Sequence, residues 1–518
     1  MAPDLPAAPG LPAALELPAA PGLPAALELP AAPGLPASPF AGIRTLRAAY
    51  GDGSLLPSEH LAATFALLDR WEPRIGAFLT LARERATAEA EAADRLLHRY
   101  GNAVWRDRPL LGMPVSVKDL TPTEGIRTTR GSLLHADAVP GRDAPAVARL
   151  RAAGAIVIGK TNTSEGGWSA AGVNRLQGPT RNPWNPARTP GGSSAGAAAS
   201  VAVGIGVGAT GTDGAGSIRI PAAFCGVVGF KPSLGRIPYV PQSPDELSHL
   251  GPLTRTVADA ALLTQVMSGY DTADPLSFGV PGGPAGDLEE AAGLLPRLRI
   301  GWIPSLGDPA PPPGIAALAR RAVEALAARG HAVEEIAPPF EDPYPALETI
   351  FAGWEAAAHP LDLDEVADRL DPGRLRVIRY GRTLSAARLA RAYEARAVLR
   401  ARSQALMERY DLLAMPTVAI APFAADRHEP PDPVRKGALS WLAWAPEAYT
   451  FNLTGQPAVS VPAGLSPEGL PVGLQLVGGR REDLRVLAAA YQLEQARPWH
   501  HHYAALSARS PEPAKEST

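Results

Sequence analysis

Two serines and one lysine are the residues of this chain whose types and settings best fit catalytic chemistry. Ser193 and Ser217 lie in the glycine-rich segment 191–222, and Lys118 ends the apolar run PVSVK. A serine hydroxyl becomes a good nucleophile only when a base takes its proton. No histidine accompanies these serines, so the pattern indicates an acyl-transfer site whose base is a lysine. That role requires burial, which lowers a lysine pKa from about 10.4.

The loop Gly214-Ala215-Gly216 directly precedes Ser217. Small residues let the backbone turn tightly and aim several N–H groups at one point. Such a cluster of donors stabilises the oxyanion of a tetrahedral intermediate. The pattern therefore predicts an oxyanion hole beside a nucleophilic Ser217. The same four residues are also compatible with an ordinary glycine-rich turn that carries an incidental serine.

Three shorter motifs point to other chemistries. Residues 154–161 match the P-loop pattern, but the residues between its glycines are strand-like, whereas a P-loop curls around phosphate. Residues 206–211 match a dinucleotide fingerprint, yet another glycine-rich loop follows where a helix is required. Residues 192–196 match the nucleophile elbow, which would make Ser194 the nucleophile. The elbow needs a preceding strand, and the proline-rich segment 181–190 does not provide one.

The longer motifs resemble the amidase signature family. The core of that family is similar to VSVKDL, GKTNTSE, GPTRNPWNPARTPGGSSAG and GTDGAGSIRIPAAFCGVVGFKPS in this chain. Its C-terminal portion is similar to FNLTGQPAVSVPAGL and GLPVGLQLVG. The resemblance covers roughly residues 40–500 and is weakest over 270–410. It implies an α/β fold, with a single large domain whose central mixed β-sheet is covered by helices on both faces.

The resemblance also implies a role for each candidate residue. Ser217 would be the nucleophile. Lys118 would be the neutral base and later the general acid. Ser193, preceded by a cis peptide bond, would relay the proton between them. Ser194 would be a hydrogen-bonding partner beside these three, and the backbone N–H groups of residues 214–217 would form the oxyanion hole. No metal or cofactor is expected.

The implied reaction is hydrolysis of a carboxylic amide to an acid plus ammonia or an amine, through an acyl-enzyme on Ser217. Two positions depart from the family's pattern. Ala215 replaces a glycine, so the backbone φ must stay negative there. Ile220 stands where glutaminase subunits of tRNA-dependent amidotransferases tend to carry glutamine. Such a subunit is the alternative function, and a non-catalytic homologue is a further one.

Other conspicuous side chains receive structural interpretations. Asp213 and Arg219 are predicted to hold the catalytic loop by ion pairing. Cys225 is predicted to be a small buried residue. Trp168 is expected either to form a wall of the substrate pocket or to pack in the core. The histidines at 500–502 are consecutive and cannot all face one metal from a helix, so they are expected to be a solvated run.

The elements that must position these residues follow from hydrophobic periodicity. Residues 58–101 show helical spacing of apolar and charged positions. Strands are predicted at 114–118, 155–158, 298–303, 412–416, 458–463 and 472–478. Further helices are predicted at 144–153, 193–203, 313–329, 385–409 and 482–496. Strands that alternate with helices favour an α/β sheet protein.

Composition limits the possible classes and compartments. The 518 residues carry a net charge of -3 and one cysteine. This balance favours neither nucleic acid nor membrane partners, and a lone cysteine fits a reducing compartment. We find no signal peptide and no apolar stretch of ~20 residues. The chain is therefore expected to be cytoplasmic and to act on a small-molecule amide. It could function as a homodimer.

The domain organisation is predicted from composition along the chain. Residues 1–38 repeat the proline-rich unit LPAAPGLPAALE and are expected to be a disordered tail. The catalytic domain is expected over 39–505, with a signature core at about 110–240 and a variable middle at about 270–410. Residues 506–518 are expected to be a second disordered tail.

Overall fold

The computed structural model describes residues 38–279, 288–358, 362–432, 434–435 and 437–508. Apart from Ser38, the predicted N-terminal tail lies outside the described residues. Residues 509–518 of the predicted C-terminal tail lie outside them as well.

Eleven strands in the described part of the chain form one mixed sheet. In chain order they are β1 (Phe78–Leu81), β2 (Pro114–Lys118), β3 (Ile156–Thr161), β4 (Gly208–Asp213), β5 (Val228–Lys231), β6 (His249–Thr254), β7 (Arg299–Trp302), β8 (Ala332–Glu335), β9 (Leu412–Pro416), β10 (Ala458–Leu465) and β11 (Pro471–Val477). Across the sheet the order is β1-β3-β2-β4-β6-β5-β10-β11-β9-β7-β8. Strand β2 runs parallel to β3 and β4, and β7 runs parallel to β8 and β9. The other neighbouring pairs are antiparallel.

Sixteen α-helices within the described ranges accompany this sheet. They are α1 (Ile43–Gly51), α2 (Pro57–Ile75), α3 (Arg83–Tyr100), α4 (Pro145–Ala152), α5 (Ala195–Ala202), α6 (Arg219–Cys225), α7 (Val257–Met267), α8 (Leu288–Gly293), α9 (Pro313–Ala328), α10 (Tyr344–Ala358), α11 (Leu363–Val366), α12 (Pro372–Gly381), α13 (Ala386–Arg409), α14 (Pro446–Thr454), α15 (Asp483–Ala496) and α16 (His500–Ala508). None of the helices described has the length and apolar character needed to cross a bilayer.

The central strands are covered on both faces. Every residue of β2, β3, β4, β6, β9 and β11 is buried, although successive side chains of a strand point to opposite faces. Helix α5 packs on β2, β3 and β4, and α9 packs on β9, β10 and β11. The architecture is therefore the predicted one, a single large α/β domain with a helix-covered mixed sheet.

Helix α5 brings the serine-rich turn against the sheet. All eight of its residues, AGAAASVA, are buried, and their small side chains permit a close approach. Gly196 is required for this packing, because a Cβ atom there would lie 2.1 Å from the carbonyl oxygen of Ala77. A buried helix was predicted over 193–203. The helix begins at Ala195, since Ser193 and Ser194 belong to the turn before it.

The six predicted strands are all present, but β1, β4, β5, β6 and β8 were not predicted. Strands β2 and β9 have the predicted bounds. The helical pattern over 58–101 corresponds to two helices, α2 and α3, separated by β1. Strand β4 was not predicted, because its sequence GATGTD lacks the bulky residues typical of strands. The folded part also passes the predicted boundary at 505, since α16 continues to Ala508 and Leu506 is buried.

The two nucleotide-binding motifs are excluded by the elements that contain them. Residues 156–161 form β3, so no phosphate-cradling loop separates the glycines of the P-loop match. The dinucleotide match at 206–211 runs into β4 and is not followed by a helix at the required position. The histidine run opens α16, where His500 and His501 are exposed as expected, whereas His502 is half-buried with its ring 4.1 Å from the Trp499 ring.

Candidate active site

Lys118 is the last residue of β2, and its side chain has no exposed surface. Val115 and Val117 pack in the hydrophobic cluster that includes α4. Because side chains alternate along a strand, Lys118 lies on the opposite face, where α5 packs. Strands β2 and β4 are parallel neighbours. Their carboxyl ends, at Lys118 and Asp213, therefore meet at one edge of the sheet, which is where open α/β sheets bind ligands.

The Lys118 amine is surrounded by hydroxyl and carbonyl oxygens. Its Nζ lies 2.8 Å from Ser193 Oγ and 2.9 Å from Ser194 Oγ. It also lies 2.8 Å from the Thr212 Oγ1 and 3.3 Å from the Thr212 carbonyl oxygen. Burial lowers the pKa of Lys118 well below its usual value of 10.5, and the charge of Asp213 opposes this only in part. The setting favours the neutral amine, which is the form that accepts a proton.

Ser193 and Ser194 occupy the turn that leads into α5. The peptide bond between Gly192 and Ser193 is cis, and both serine side chains are buried. The Ser194 hydroxyl donates to the Thr212 carbonyl at 3.2 Å and accepts from the Thr212 N–H at 3.3 Å. Ser194 is thus held on the backbone of β4, while the Ser193 hydroxyl is directed to Lys118.

Ser217 follows the short loop between β4 and α6. Its carbonyl accepts a hydrogen bond from the Ser194 N–H at 3.1 Å, which fixes Ser217 beside the serine turn. The Ser217 residue is partly exposed, whereas Ser193 is only 1 % exposed. The fold therefore brings an accessible serine, a buried serine and a buried lysine to the same edge of the sheet.

Asp213 organises the loop that carries Ser217. Its carboxylate accepts hydrogen bonds from the N–H groups of Gly216 at 2.6 Å and Ile218 at 3.1 Å, and it forms a buried ion pair with Arg219 at 3.0 Å. Burial alone would raise the pKa of Asp213, but the charge of Arg219 holds that pKa below its usual value. The predicted ion pair is present, and its anion also fixes the backbone of the loop.

Two amide side chains complete this network. Arg219 Nη1 donates to Gln475 Oε1 at 2.8 Å, and Arg219 Nη2 donates to Asn452 Oδ1 at 2.6 Å. Asn452 Nδ2 in turn donates to the Asp213 carboxylate at 2.9 Å. Sequence reasoning missed both amides. The sequence feature that could have indicated them is a polar side chain inside an otherwise apolar segment, such as Gln475 inside GLQLV.

The backbone of the loop differs in one respect from the expected oxyanion hole. The Gly216 N–H is already bound to Asp213, so we correct its expected role as a donor to the oxyanion. Among the described residues, φ is positive at Gly216, at 116°, but not at Ala215. Ala215 therefore tolerates its methyl group, as the sequence required. The N–H groups of Gly214, Ala215 and Ser217 remain the candidate donors.

Trp168 lies in the core and not on a pocket wall. It is 1 % exposed. Its ring packs edge-on against Trp441, with centroids 5.2 Å apart, and lies 4.7 Å from the ring of His428. The neighbouring Gly167 is the residue that approaches the site, because a Cβ atom there would lie 3.3 Å from Ser193 Oγ. Of the two expectations for Trp168, the structure supports core packing.

Comparison with known proteins identifies the family. Residues 59–487 match the family model described as Amidase. The chain belongs to the amidase signature family. An acylamidase of Rhodococcus erythropolis is 35% identical to this amidase over 462 residues, covering 88% of this chain and 95% of the relative. The A subunit of glutamyl-tRNA(Gln) amidotransferase from Moorella thermoacetica is 36% identical to this amidase over 470 residues. This alignment covers 85% of this chain and 93% of the relative.

Solved structures agree with this assignment. A bacterial aryl acylamidase of the amidase signature family superposes on this amidase with a TM-score of 0.83 at 29% identity, covering 91% of this chain and 99% of the other. A 6-aminohexanoate cyclic dimer hydrolase, solved with its substrate, superposes with a TM-score of 0.80 at 29% identity, covering 91% and 100%. The chain is accordingly an amide-hydrolysing enzyme.

Proposed function

We propose that this amidase hydrolyses carboxylic amides through an acyl-enzyme on Ser217, with Ser193 as the proton relay and Lys118 as the base. The observation that carries the proposal is the 2.8 Å contact between Lys118 Nζ and Ser193 Oγ at a fully buried site. A buried amine without an acidic partner in hydrogen-bond distance is neutral more readily than an exposed one. It can therefore accept a proton at physiological pH.

The first half of the reaction forms the acyl-enzyme. Ser217 Oγ attacks the amide carbonyl carbon, its proton passes to Ser193, and the Ser193 proton passes to Lys118 Nζ. The N–H groups of Gly214, Ala215 and Ser217 are the proposed donors that stabilise the oxyanion. When the C–N bond breaks, Lys118 returns its proton through Ser193 to the leaving nitrogen, so ammonia or an amine departs.

The second half clears the acyl group. A water molecule attacks the ester carbonyl, and its proton travels through Ser193 to Lys118. The proton then returns by the same route to Ser217 Oγ as the ester bond breaks. The products are a carboxylic acid and the free enzyme, and every proton that leaves a hydroxyl is restored.

The test uses Ser217→Ala and Lys118→Ala proteins on a panel of simple amides. Loss of general acid–base catalysis lowers rates by about 10²–10⁴-fold, so both variants should lose nearly all turnover. The assignment is wrong if both retain wild-type turnover. A fluorophosphonate probe supplies a second readout, because it should label Ser217 in the wild-type protein. An inert Ser217 would indicate a non-catalytic homologue.

A second candidate function is glutamine hydrolysis for a partner amidotransferase. The observation in its favour is the 36% identity to the A subunit of an amidotransferase over most of both chains. Glutaminase activity that exceeds all other amide hydrolysis, together with copurification of a second protein, would support it. A preference for simple or aryl amides over glutamine would favour the acylamidase-like function instead.

A further inference from the structure

A small cavity lies next to the proposed catalytic residues. Its volume is about 50 Å³, and its lining includes Leu120, Arg130, Gly166, Tyr239 and Leu250. The wall is mixed, with apolar side chains such as Leu120 and Leu250 and polar side chains from Thr121, Arg130 and Tyr239. Arg130 lines this cavity and is also exposed to solvent overall.

Several contacts connect this cavity to the site. The Gly166 N–H donates to the Arg130 carbonyl at 2.7 Å. At the next residue, Gly167, a Cβ atom would lie 2.8 Å from Leu120 Cδ1 and 3.3 Å from Ser193 Oγ. On the other side, the Tyr239 hydroxyl contacts the side chain of Thr212, which itself contacts Lys118. The cavity is therefore separated from the proposed proton relay by single residues on two sides.

The backbone at Arg130 is held in an unusual conformation. Its φ is 58°, a left-handed value that costs energy for any residue with a side chain. Asp119 maintains it. The Asp119 carbonyl accepts the Arg130 N–H at 3.1 Å, and the Asp119 carboxylate accepts the N–H groups of Thr129 at 2.9 Å and Gly131 at 3.3 Å. A strained arginine that the surrounding chain fixes this firmly indicates a functional position.

The charge of Arg130 has no anionic partner in the described residues. No carboxylate among them lies within ion-pair distance of its guanidinium. Tyr239 lines the same cavity. Burial raises the pKa of Tyr239, and the positive charge of Arg130 opposes that rise. A solvent-accessible cation that lines a cavity and has no carboxylate partner in the described residues can receive an anion from outside the protein.

We propose that Arg130 binds a carboxylate group of the substrate, so that this amidase prefers amides that carry a negative charge near the scissile bond. The proposal rests on the proposed function, because it assigns the cavity to the substrate of Ser217. A guanidinium matches a carboxylate in charge and in planar, two-point geometry.

Matched substrate pairs test the proposal. Succinyl para-nitroanilide is compared with isocaproyl para-nitroanilide, in which an isopropyl group replaces the carboxylate. For the amine half, para-acetamidobenzoate is compared with para-isopropylacetanilide. The wild-type protein should favour one or both carboxylate amides. In Arg130→Gln, the kcat/KM of a favoured carboxylate amide relative to its neutral partner should fall about 10- to 100-fold, the range for a charged hydrogen bond.

Further variants separate charge from conformation. Arg130→Gly relieves the positive φ and should lose the preference as Arg130→Gln does, whereas Arg130→Lys should retain part of it. Arg321 provides the matched control, since it is an exposed arginine on α9. Arg321→Gln should leave the preference at the wild-type value. If wild type hydrolyses both members of each pair equally, or if Arg130→Gln leaves the ratio unchanged, the carboxylate site is refuted while the proposed function stands.

Binding distinguishes failure of the site from failure of the reaction. If the wild-type protein hydrolyses none of the four amides, their binding is measured instead. Calorimetric titration of the same amides into wild type and Arg130→Gln then shows whether Arg130 binds a carboxylate. Tighter binding of a carboxylate amide that is lost in Arg130→Gln would support the site although the proposed function fails. Equal or undetectable binding in the two proteins would overturn the site as well.

Discussion

Asp213 and Arg219 form a two-point ion pair in which neither side chain has any exposed surface. The Arg219 Nε to Asp213 Oδ2 and Nη2 to Oδ1 distances are both 3.0 Å. The same carboxylate holds the N–H groups of Gly216 and Ile218. One buried pair therefore determines the backbone path of the loop that carries Ser217.

Removing one partner of this pair should be strongly destabilising. Arg219→Ala leaves the Asp213 carboxylate buried without its counter-charge, which costs about 3–5 kcal/mol. Urea unfolding followed by circular dichroism measures the loss. The control is Arg320→Ala, whose ion pair with Glu324 lies on the surface and should change stability by less than about 1 kcal/mol. Equal effects of the two substitutions would contradict the structural role of Arg219.

Lys118 makes stability depend on pH in a predictable direction. Its folded pKa is lowered by burial, so between that pKa and 10.5 the unfolded chain binds more protons than the folded chain. Stability relative to Lys118→Met should therefore rise with pH across this window, by about 1.4 kcal/mol per pH unit. The stability of the wild-type protein relative to Lys118→Met should correspondingly fall as the pH decreases from 10.5 toward the folded pKa.

Chemical unfolding of both proteins at several pH values measures this difference. Arg321→Met is the reference, because an exposed arginine does not titrate in this range, and its difference from wild type should be constant with pH. A Lys118→Met difference that is equally flat would show that the Lys118 pKa is not lowered in the folded protein.

The two serines next to Lys118 should differ in their importance. Ser193→Ala removes the proposed proton relay and should lower kcat/KM by about 10²–10⁴-fold. Ser194→Ala removes one hydrogen bond to Lys118 and two to the Thr212 backbone, but it leaves the proposed relay in place. Because a single hydrogen bond to Lys118 is worth about 0.5–1.5 kcal/mol, kcat/KM should fall by roughly tenfold or less, and the lost bonds to Thr212 should appear mainly as lower stability. Each variant serves as the control for the other. If Ser194→Ala lowers kcat/KM more than Ser193→Ala does, Ser194 and not Ser193 would be the proton relay.

Substitutions at the neighbouring residues Gly216 and Ala215 should have opposite effects on amide hydrolysis. Gly216 has φ 116°, and a Cβ atom there would lie 2.6 Å from the Ala448 Cβ. Gly216→Ala should therefore distort the loop and abolish amide hydrolysis. Ala215→Gly should retain hydrolysis, since a glycine adopts the negative φ of Ala215 freely. Steady-state kinetics on a neutral amide measures both, and full activity of Gly216→Ala would show that the loop geometry is not required.

Ser193, Ser217 and Lys118 could be proposed as a candidate site from the sequence because their signals are local. The alternation before Lys118 set the bounds of β2, and the small residues after Ser194 predicted a buried helix. Strand β4 could not be predicted, because its bulk comes from other elements: Leu253 and Ile218 fill the space beside Gly211. In isolation that segment is a glycine-rich loop.

Contacts between distant parts of the chain were beyond sequence reasoning. Gln475 reaches Arg219 from β11, and Asn452 reaches it from α14, the helix that precedes β10. The hydrogen bond from the Gly216 N–H to Asp213 could not be predicted either. Composition predicts a tight turn, but it does not predict which N–H groups in that turn form hydrogen bonds. Arg130 shows no periodicity or motif, and its importance depends on a backbone angle.

The order of the strands has a consequence for biosynthesis. Strands β10 and β11 are the last to be translated, yet they occupy the middle of the sheet. Gln475 follows Arg219 by 256 positions. Lys118, Ser193 and Ser217 are therefore translated long before Gln475 is present to support Arg219 and the loop that carries Ser217. An unfinished chain thus carries all three proposed catalytic residues without the support for the loop of Ser217. We therefore expect nascent or prematurely terminated chains that lack β10 and β11 to be inert.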